Sequence, residues 1–401
     1  MQSPRFRRFS GWFAYCLCLF IPVLSGCGDF CLFCDGNGGG NGGGGQEHTA
    51  EAGDVILADQ LASSIYIYEY PSETKRSLLT GVDDVSGLAL YSSSAENECD
   101  NPFSGLEDYQ RALNLETVDN FTARSDNNER LSIAVIPKGM SFTYGTDEIE
   151  AEQTTIDLLF FTVNTEDTDT LYIYDLTEAT IPSGLDNPFP ITNEELGANF
   201  LESPTALAIS VDANAATIFV LNDNGTDSSV TRLSIDLTTW IPDSPRTIAT
   251  MTEESRRLID IAYYDQTDTL YVTKKVLTDQ DVFAQGWVYE ISDATDRDRS
   301  ENLNSDSSFI GHPRSFTGLT VAFTNEQETA ADLLVSTEIA GWVEQYDILD
   351  GGDAETAFTF GAPLDFPQAV EFDCTNDRLL MTNIPSGQGS ARTFFQAFPT
   401  Q

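Results

Sequence analysis

Asn164, Asn222, Asp223, Glu338 and Asn383 are the residues of this 401-residue chain whose types and placement suit a hard cation. Each stands just after a run of β-branched and aromatic residues, and side-chain oxygens of this kind are the ligands Ca²⁺ prefers. The segment Asn222-Asp-Asn-Gly-Thr-Asp227 is not an EF-hand-type loop, because Val220 occupies the first ligand place. Asn and Asp are also the ordinary residues of tight turns, so a turn role stands beside the metal role at every one of these positions.

Histidine chemistry is nearly closed to this chain. The two histidines are His48, in a segment that reads as linker, and His312, whose Gly311-His312-Pro313 context reads as a loop. No histidine cluster can therefore build a zinc, copper or iron site. Any Ser/His/Asp arrangement would have to use His312.

The cysteines point to an exported protein. Met1–Arg8 carries Arg5, Arg7 and Arg8 without an acid, and Gly11–Leu24 is an apolar run. About 20 residues are needed to cross a bilayer, so this run fits a secretory signal better than a permanent span. It ends Leu24-Ser25-Gly26-Cys27, which resembles the lipobox of bacterial lipoproteins. That resemblance implies removal of residues 1–26 and attachment of lipid to Cys27, with Gly28 in the next place favouring the outer membrane. It also implies membrane association through the anchor, in a bacterial cell envelope, on the periplasmic or the surface side. Cys31, Cys34, Cys99 and Cys374 would then remain in an oxidising compartment, where four thiols allow three pairings. Cys31 and Cys34 form a CxxC pair beside the anchor. Cys99 with Cys374 is the expected long-range bridge.

Charge narrows the partners. The formal net charge is −44, and loss of the signal removes three arginines and no acid, leaving −47. Only Lys75, Lys138, Lys274 and Lys275 are lysines. Such a field repels phosphate backbones, which argues against nucleic acid as a partner. It matches an adaptation to salt, or carboxylates gathered for Ca²⁺.

The elements that must position these residues are repeated. Residues 27–54 are Gly-rich and read as a tether to the lipid, which leaves 55–401 as the globular part. Ala206–Val220, Asp260–Val272, Gly318–Val335 and Ala369–Met381 each show a short alternating strand, a polar turn and a second β-branched or aromatic strand. Third strands follow at Ile65–Tyr70, Thr170–Leu176, Val230–Leu237, Gly286–Ile291 and Gly341–Ile348, and fourth strands at Ser77–Thr80, Thr247–Thr250 and Thr356–Phe360. The anchors Leu207, Ile261, Leu319 and Val370 are spaced by 54, 58 and 51 residues, and Leu88 lies 119 residues before Leu207. Four-stranded units without intervening helices predict an all-β fold, a β-propeller of six blades, with seven or five as alternatives and a sandwich array behind them. The pattern breaks after residue 92. Ser92–Arg130 reads as an insertion and Leu131–Ile136 as a strand, with the ring closed by the N- and C-terminal strands, either joined in one sheet or packed side by side.

Leu270-Tyr-Val-Thr273, Asp268-Thr-Leu-Tyr-Val272, and Val55-Ile-Leu-Ala-Asp-Gln60 with Ile65-Tyr-Ile-Tyr68 resemble YVTN-type and NHL-type propeller repeats. The resemblance implies fold, not activity. Two functions fit: an envelope-anchored binding or scaffolding module for a protein, peptide or glycan, without cofactor, or a Ca²⁺-dependent hydrolase resembling gluconolactonase propellers. No catalytic residue is assigned.

Overall fold

A computed structural model describes most of residues 48–399. Outside the described residues lie 1–47 and several internal stretches, the longest being 100–112, 122–130, 146–154, 277–284, 323–330, 360–366 and 384–391. Cys27, Cys31, Cys34 and Glu338, with the expected signal and most of the tether, are therefore outside the described residues.

Six four-stranded antiparallel units stand around one axis. From the axis outward, blade 1 is Leu131–Val135, Val55–Asp59, Ser64–Glu69 and Thr74–Thr80. Blade 2 is Val85–Ser92, Asp157–Asn164, Asp169–Asp175 and Phe189–Thr192. Blade 3 is Pro204–Asp212, Ala215–Asp223, Ser228–Asp236 and Arg246–Met251, extended by the parallel pair Glu301–Asn302. Blade 4 is Arg256–Tyr264, Thr269–Val276, Gly286–Ser292 and Ile310–His312. Blade 5 is Phe316–Ala322, Asp332–Thr337, Trp342–Asp347 and Ala354–Thr359. Blade 6 is Pro367–Asp373, Arg378–Asn383, Arg392–Pro399 and Leu113–Phe121. Each inner strand touches the next, and blade 6 touches blade 1, so the ring is complete. The fold is a six-bladed β-propeller.

Period-two alternation explains the core. In the second strand of blade 1, Ile56 and Ala58 face blade 2, while Val55 and Leu57 face blade 6. Ile218 and Val220 likewise serve the blade 2–3 interface, and Phe219 and Leu221 the blade 3–4 interface. Strands buried on both faces must be apolar along their whole length, as Leu158-Leu-Phe-Phe161 is. The described residues contain six hydrophobic clusters, one at each junction between blades.

Four expectations need correcting. Of the two closures expected, the terminal strands are not joined in one sheet but packed side by side, Val55 and Leu57 of blade 1 against Leu380 and Phe394 of blade 6; the second strand of blade 1 comes first in the chain, and Arg392–Pro399 is only the third strand of blade 6. Both missing strands come from the segment between Ser92 and Asp157. Leu113–Phe121 pairs with Arg392–Pro399, and Leu131–Val135 pairs with Val55–Asp59. The expected insertion thus contains the outer strand of the last blade. Its Cys99 is bonded to Cys374 in the turn of that same blade, 275 residues away in sequence. Third, His48–Glu51, placed in the tether, is a strand paired with Ser141–Tyr144. The His48 ring there lies 5.6 Å from that of Tyr144, tilted by 40°. Fourth, His312 ends the outer strand of blade 4, its backbone opposite Gly286, rather than lying in a loop.

A buried cluster reinforces the junction of blades 6 and 1. The Arg378 side chain, 4% exposed, donates to Asp373 Oδ2 (2.7 Å), Gln396 Oε1 (2.5 Å) and the Gly53 carbonyl (2.6 Å). Its guanidinium also lies 4.0 Å from the centre of the Tyr70 ring. Gly53 holds φ +88°, and a Cβ there would meet Asn376 Nδ2.

Candidate functional site: the narrow end of the channel

The described residues among those singled out from sequence, Asn164, Asn222, Asp223 and Asn383, lie at the ends of second strands, on the face where the inner strands begin. Asn222 is 3% exposed and fully engaged: its amide nitrogen donates to the Phe200 carbonyl and Thr231 Oγ1, and its oxygen accepts from the Glu202 amide. Asp223 accepts from the Gly225 amide and pairs with Arg257 Nε at 3.3 Å. Asn164 donates its backbone amide to the Asp84 carbonyl, and Asn383 is 1% exposed opposite Pro367. Among the described residues, no group of three or more His, Cys, Asp or Glu side chains is placed to hold a metal ion.

Polar chemistry converges instead on the inner strands. Five of them carry a register shift near their start: at Val85/Gly87, Pro204/Ala206, Leu258/Ile261, Phe316/Gly318 and Pro367/Val370. A bulge at the same place in five blades turns side chains toward the axis and brings neighbouring strands close. The space left is small. A Cβ at Gly318 would lie 2.0 Å from the Gln368 carbonyl oxygen, and one at Gly87 would lie 2.8 Å from Thr162 Oγ1. The anchors Leu88, Leu207, Ile261 and Leu319, with Ile133, form an aliphatic waist lining the cavities on both sides of it. The narrow cavity has about 70 Å³ of room and the wide one about 290 Å³.

Two acids interrupt this apolar ring. The residue before each anchor is Gly87, Ala206, Gly318 or Ala369, but Asp260 in blade 4. The residue after each anchor is Ala89, Ala208, Ala262 or Thr320, but Glu371 in blade 6. Blade 5 lies between them and holds both. Asp260 Oδ2 accepts the Leu319 amide at 3.0 Å, and Glu371 Oε2 accepts the Thr320 hydroxyl at 2.9 Å. Asp260 also accepts the amide of Ile261. Burial pushes the Glu371 carboxyl up to about 8, the nearby Asp260 adds to the rise, and the Thr320 hydrogen bond opposes it. Glu371 is hemmed in by protein yet partly reachable from the channel. Burial therefore favours its protonated form. Gln368 also lines the narrow cavity, and its Oε1 is buried without a hydrogen-bond donor. A buried amide oxygen left unpaired costs about 1–3 kcal/mol.

Asp260, Gln368 and Glu371 were not among the residues singled out from sequence. A signal was present: with the repeats superposed on their anchors, these acids stand in columns otherwise filled by Gly, Ala and Thr.

No family model and no curated protein matches the chain. Two solved structures show the likeness. An α-L-arabinanase from Penicillium chrysogenum complexed with arabinobiose is 10% identical over 89% of this chain and 93% of its own, with TM-score 0.46. Drosophila Plexin A in complex with Semaphorin 1b is 6% identical over 76% and 88%, with TM-score 0.34.

Proposed function

We propose that this chain is a lipoprotein of the bacterial outer membrane. Its propeller would act as a binding or scaffolding module, docking a protein, peptide or glycan on the rim of one channel mouth. The anchor rests on the Arg5–Cys27 pattern. The observation that carries docking is the channel itself. Its two cavities, of about 70 and 290 Å³, lie below and at the lower limit of the ~300–1,000 Å³ of sites that enclose small molecules. A stiff disc with a channel this narrow offers mainly its rim to a macromolecular partner. Blade 6 is held by an inserted strand, a disulfide and the Arg378 cluster, so that rim is presented by a rigid body.

Two measurements test the reading. Metabolic labelling with radioactive palmitate should mark the wild type and not Cys27→Ala. Purification of the tagged chain from cross-linked envelopes should recover one dominant partner at constant ratio. Absence of label sinks the anchor, and absence of a reproducible partner sinks the docking. Raised melting temperature with Ca²⁺ in salt-matched buffer, joined to turnover of lactones, would replace docking by the hydrolase reading.

A further inference from the structure

We propose that the wide end of the channel is filled by the chain's own apolar segment Phe30-Cys-Leu-Phe33, with Leu32 and Phe33 seated in it. The wide cavity is an apolar cup. Two residues after the anchors stand Leu90, Val135, Ile209, Tyr263 and Val321, one from each of five blades, all half-buried and all in its wall. Tyr263 spends its hydroxyl on Asp268 Oδ1 at 3.0 Å, so it offers the cup a ring. The places between these residues and the anchors are alanine in four blades, and such small side chains leave the room. Glu371 holds that place in blade 6, where burial favours its uncharged form. Apolar surface of this kind at an opening in water gains by being covered.

The occupant follows from where the described residues begin. His48–Glu51 pairs with Ser141–Tyr144, and the Gly53 amide donates to the carbonyl of Ile136, a residue of the cavity wall. The few residues from His48 to Gly53 can span at most about 20 Å, so His48 lies on the wide-mouth side within that reach of the wall. Between Phe33 and His48 stand fourteen residues, eight of them glycine. A Gly-rich chain of that length has a root-mean-square span of about 20 Å, which matches the distance to be covered. Such a match puts a tethered segment at a local concentration in the millimolar range, so weak docking suffices to fill the cup. The sizes agree as well. An apolar cavity of roughly 150 Å³ takes up a benzene molecule. The cup of about 290 Å³ therefore takes the Phe33 ring with the Leu32 side chain beside it. Lys138 is the one basic residue of the wall, and the acids Asp29 and Asp35 flank the apolar segment. This docking needs neither lipid nor partner. Its consequence rests on the proposed anchor: Cys27 stands three residues before Phe30, so the lipid would hold the filled mouth toward the membrane and leave the narrow mouth to the partner.

The test is intramolecular photocross-linking of the full chain in intact cells. A photoreactive residue in place of Leu32 should link to the peptides that carry Ile209 or Val321, read by mass spectrometry of the digest. Links to lipid, to a second protein, or scattered over the outer faces of the blades would overturn the proposal and name the membrane, a partner or solvent as the neighbour instead. A second readout measures the cup directly. In Val321→Cys the introduced thiol should react with a maleimide at least tenfold faster once Leu32→Asp and Phe33→Asp are added, because the cup then stands open. Labelling is read on the peptide that carries position 321, so the native cysteines do not enter. Equal rates would overturn the proposal. The cross-link uses an unaltered cavity, so it stands even if Val321→Cys fails to fold. Absence of palmitate label removes the anchor and the orientation it gives while leaving both readouts as they are. Absence of the intramolecular link beside an intact label and a recovered partner defeats this inference alone.

Discussion

Arg378→Met should destabilise the propeller by about 3–4 kcal/mol, through the closure rather than through any one blade. The guanidinium holds three acceptors at once: Asp373, Gln396 and, across the junction, the Gly53 carbonyl. Asp373 is completely buried, and removing one partner of a buried pair costs about 3–5 kcal/mol. Asp373 also accepts from the amides of Thr375 and Asn376 and from Asn376 Nδ2, which places its share at the low end. Loss of the donor to Gly53 adds about 1 kcal/mol. Urea unfolding measured by tryptophan fluorescence should show the midpoint fall with the slope unchanged. Adding Asp373→Asn should recover about half of the loss, because the stranded charge is the larger penalty. Hydrogen exchange adds a local readout. The Gly53 amide bonds to the Ile136 carbonyl and the Ile136 amide to the Asp54 carbonyl, so both should exchange faster in the single variant. A loss below about 1 kcal/mol, or faster exchange spread equally over all blades, would refute the closure argument.

Gly318→Ala should cost about 2 kcal/mol or more, because its Cβ would strike the Gln368 backbone oxygen at 2.0 Å and force blades 5 and 6 apart. A melting temperature equal to that of the wild type would contradict this. Cys99→Ser should cost about 2–4 kcal/mol, since the bridge spans 275 residues, and wild type under strong reductant should lose the same amount. Glu371→Gln should change the dependence of stability on pH. The folded carboxyl keeps its proton up to about 8, whereas the ordinary value is 4.5, so the folded state binds more protons between these values. Stability therefore falls as pH rises through that window. Glu371→Gln should match the wild type below pH 4.5 and exceed it above pH 8; parallel profiles would contradict the assignment.

Much of the fold was legible because blade interfaces bury alternate faces of the same strand. Leu88, Leu207, Ile261, Leu319 and Val370 all fall on inner strands, and that regularity produced the 51–58-residue spacing. The closure was not legible. Leu113-Asn-Leu-Glu-Thr-Val-Asp-Asn-Phe121 is an outer strand and needs little apolar content, so it looks like surface loop. Arg378 and Gly53 lie 325 residues apart, and no local pattern joins them. The candidate site was missed for a different reason. Asn and Asp at strand ends look like ligands because turns and metals favour the same residues. Asn222 and Asp223 spend those groups on Phe200, Thr231, Glu202, Gly225 and Arg257. Asp260 and Glu371 sit inside strands, where an acid is out of place unless the strand faces a channel.

Site-specific photocross-linking in intact cells tests the docking most directly. A photoreactive residue at Thr226, exposed on the narrow-mouth face, is compared with one at Gln266, exposed on the opposite face. One discrete adduct at Thr226, and none at Gln266, is the predicted result. Adducts of equal yield from both faces, or none from Thr226, would contradict docking at the narrow mouth.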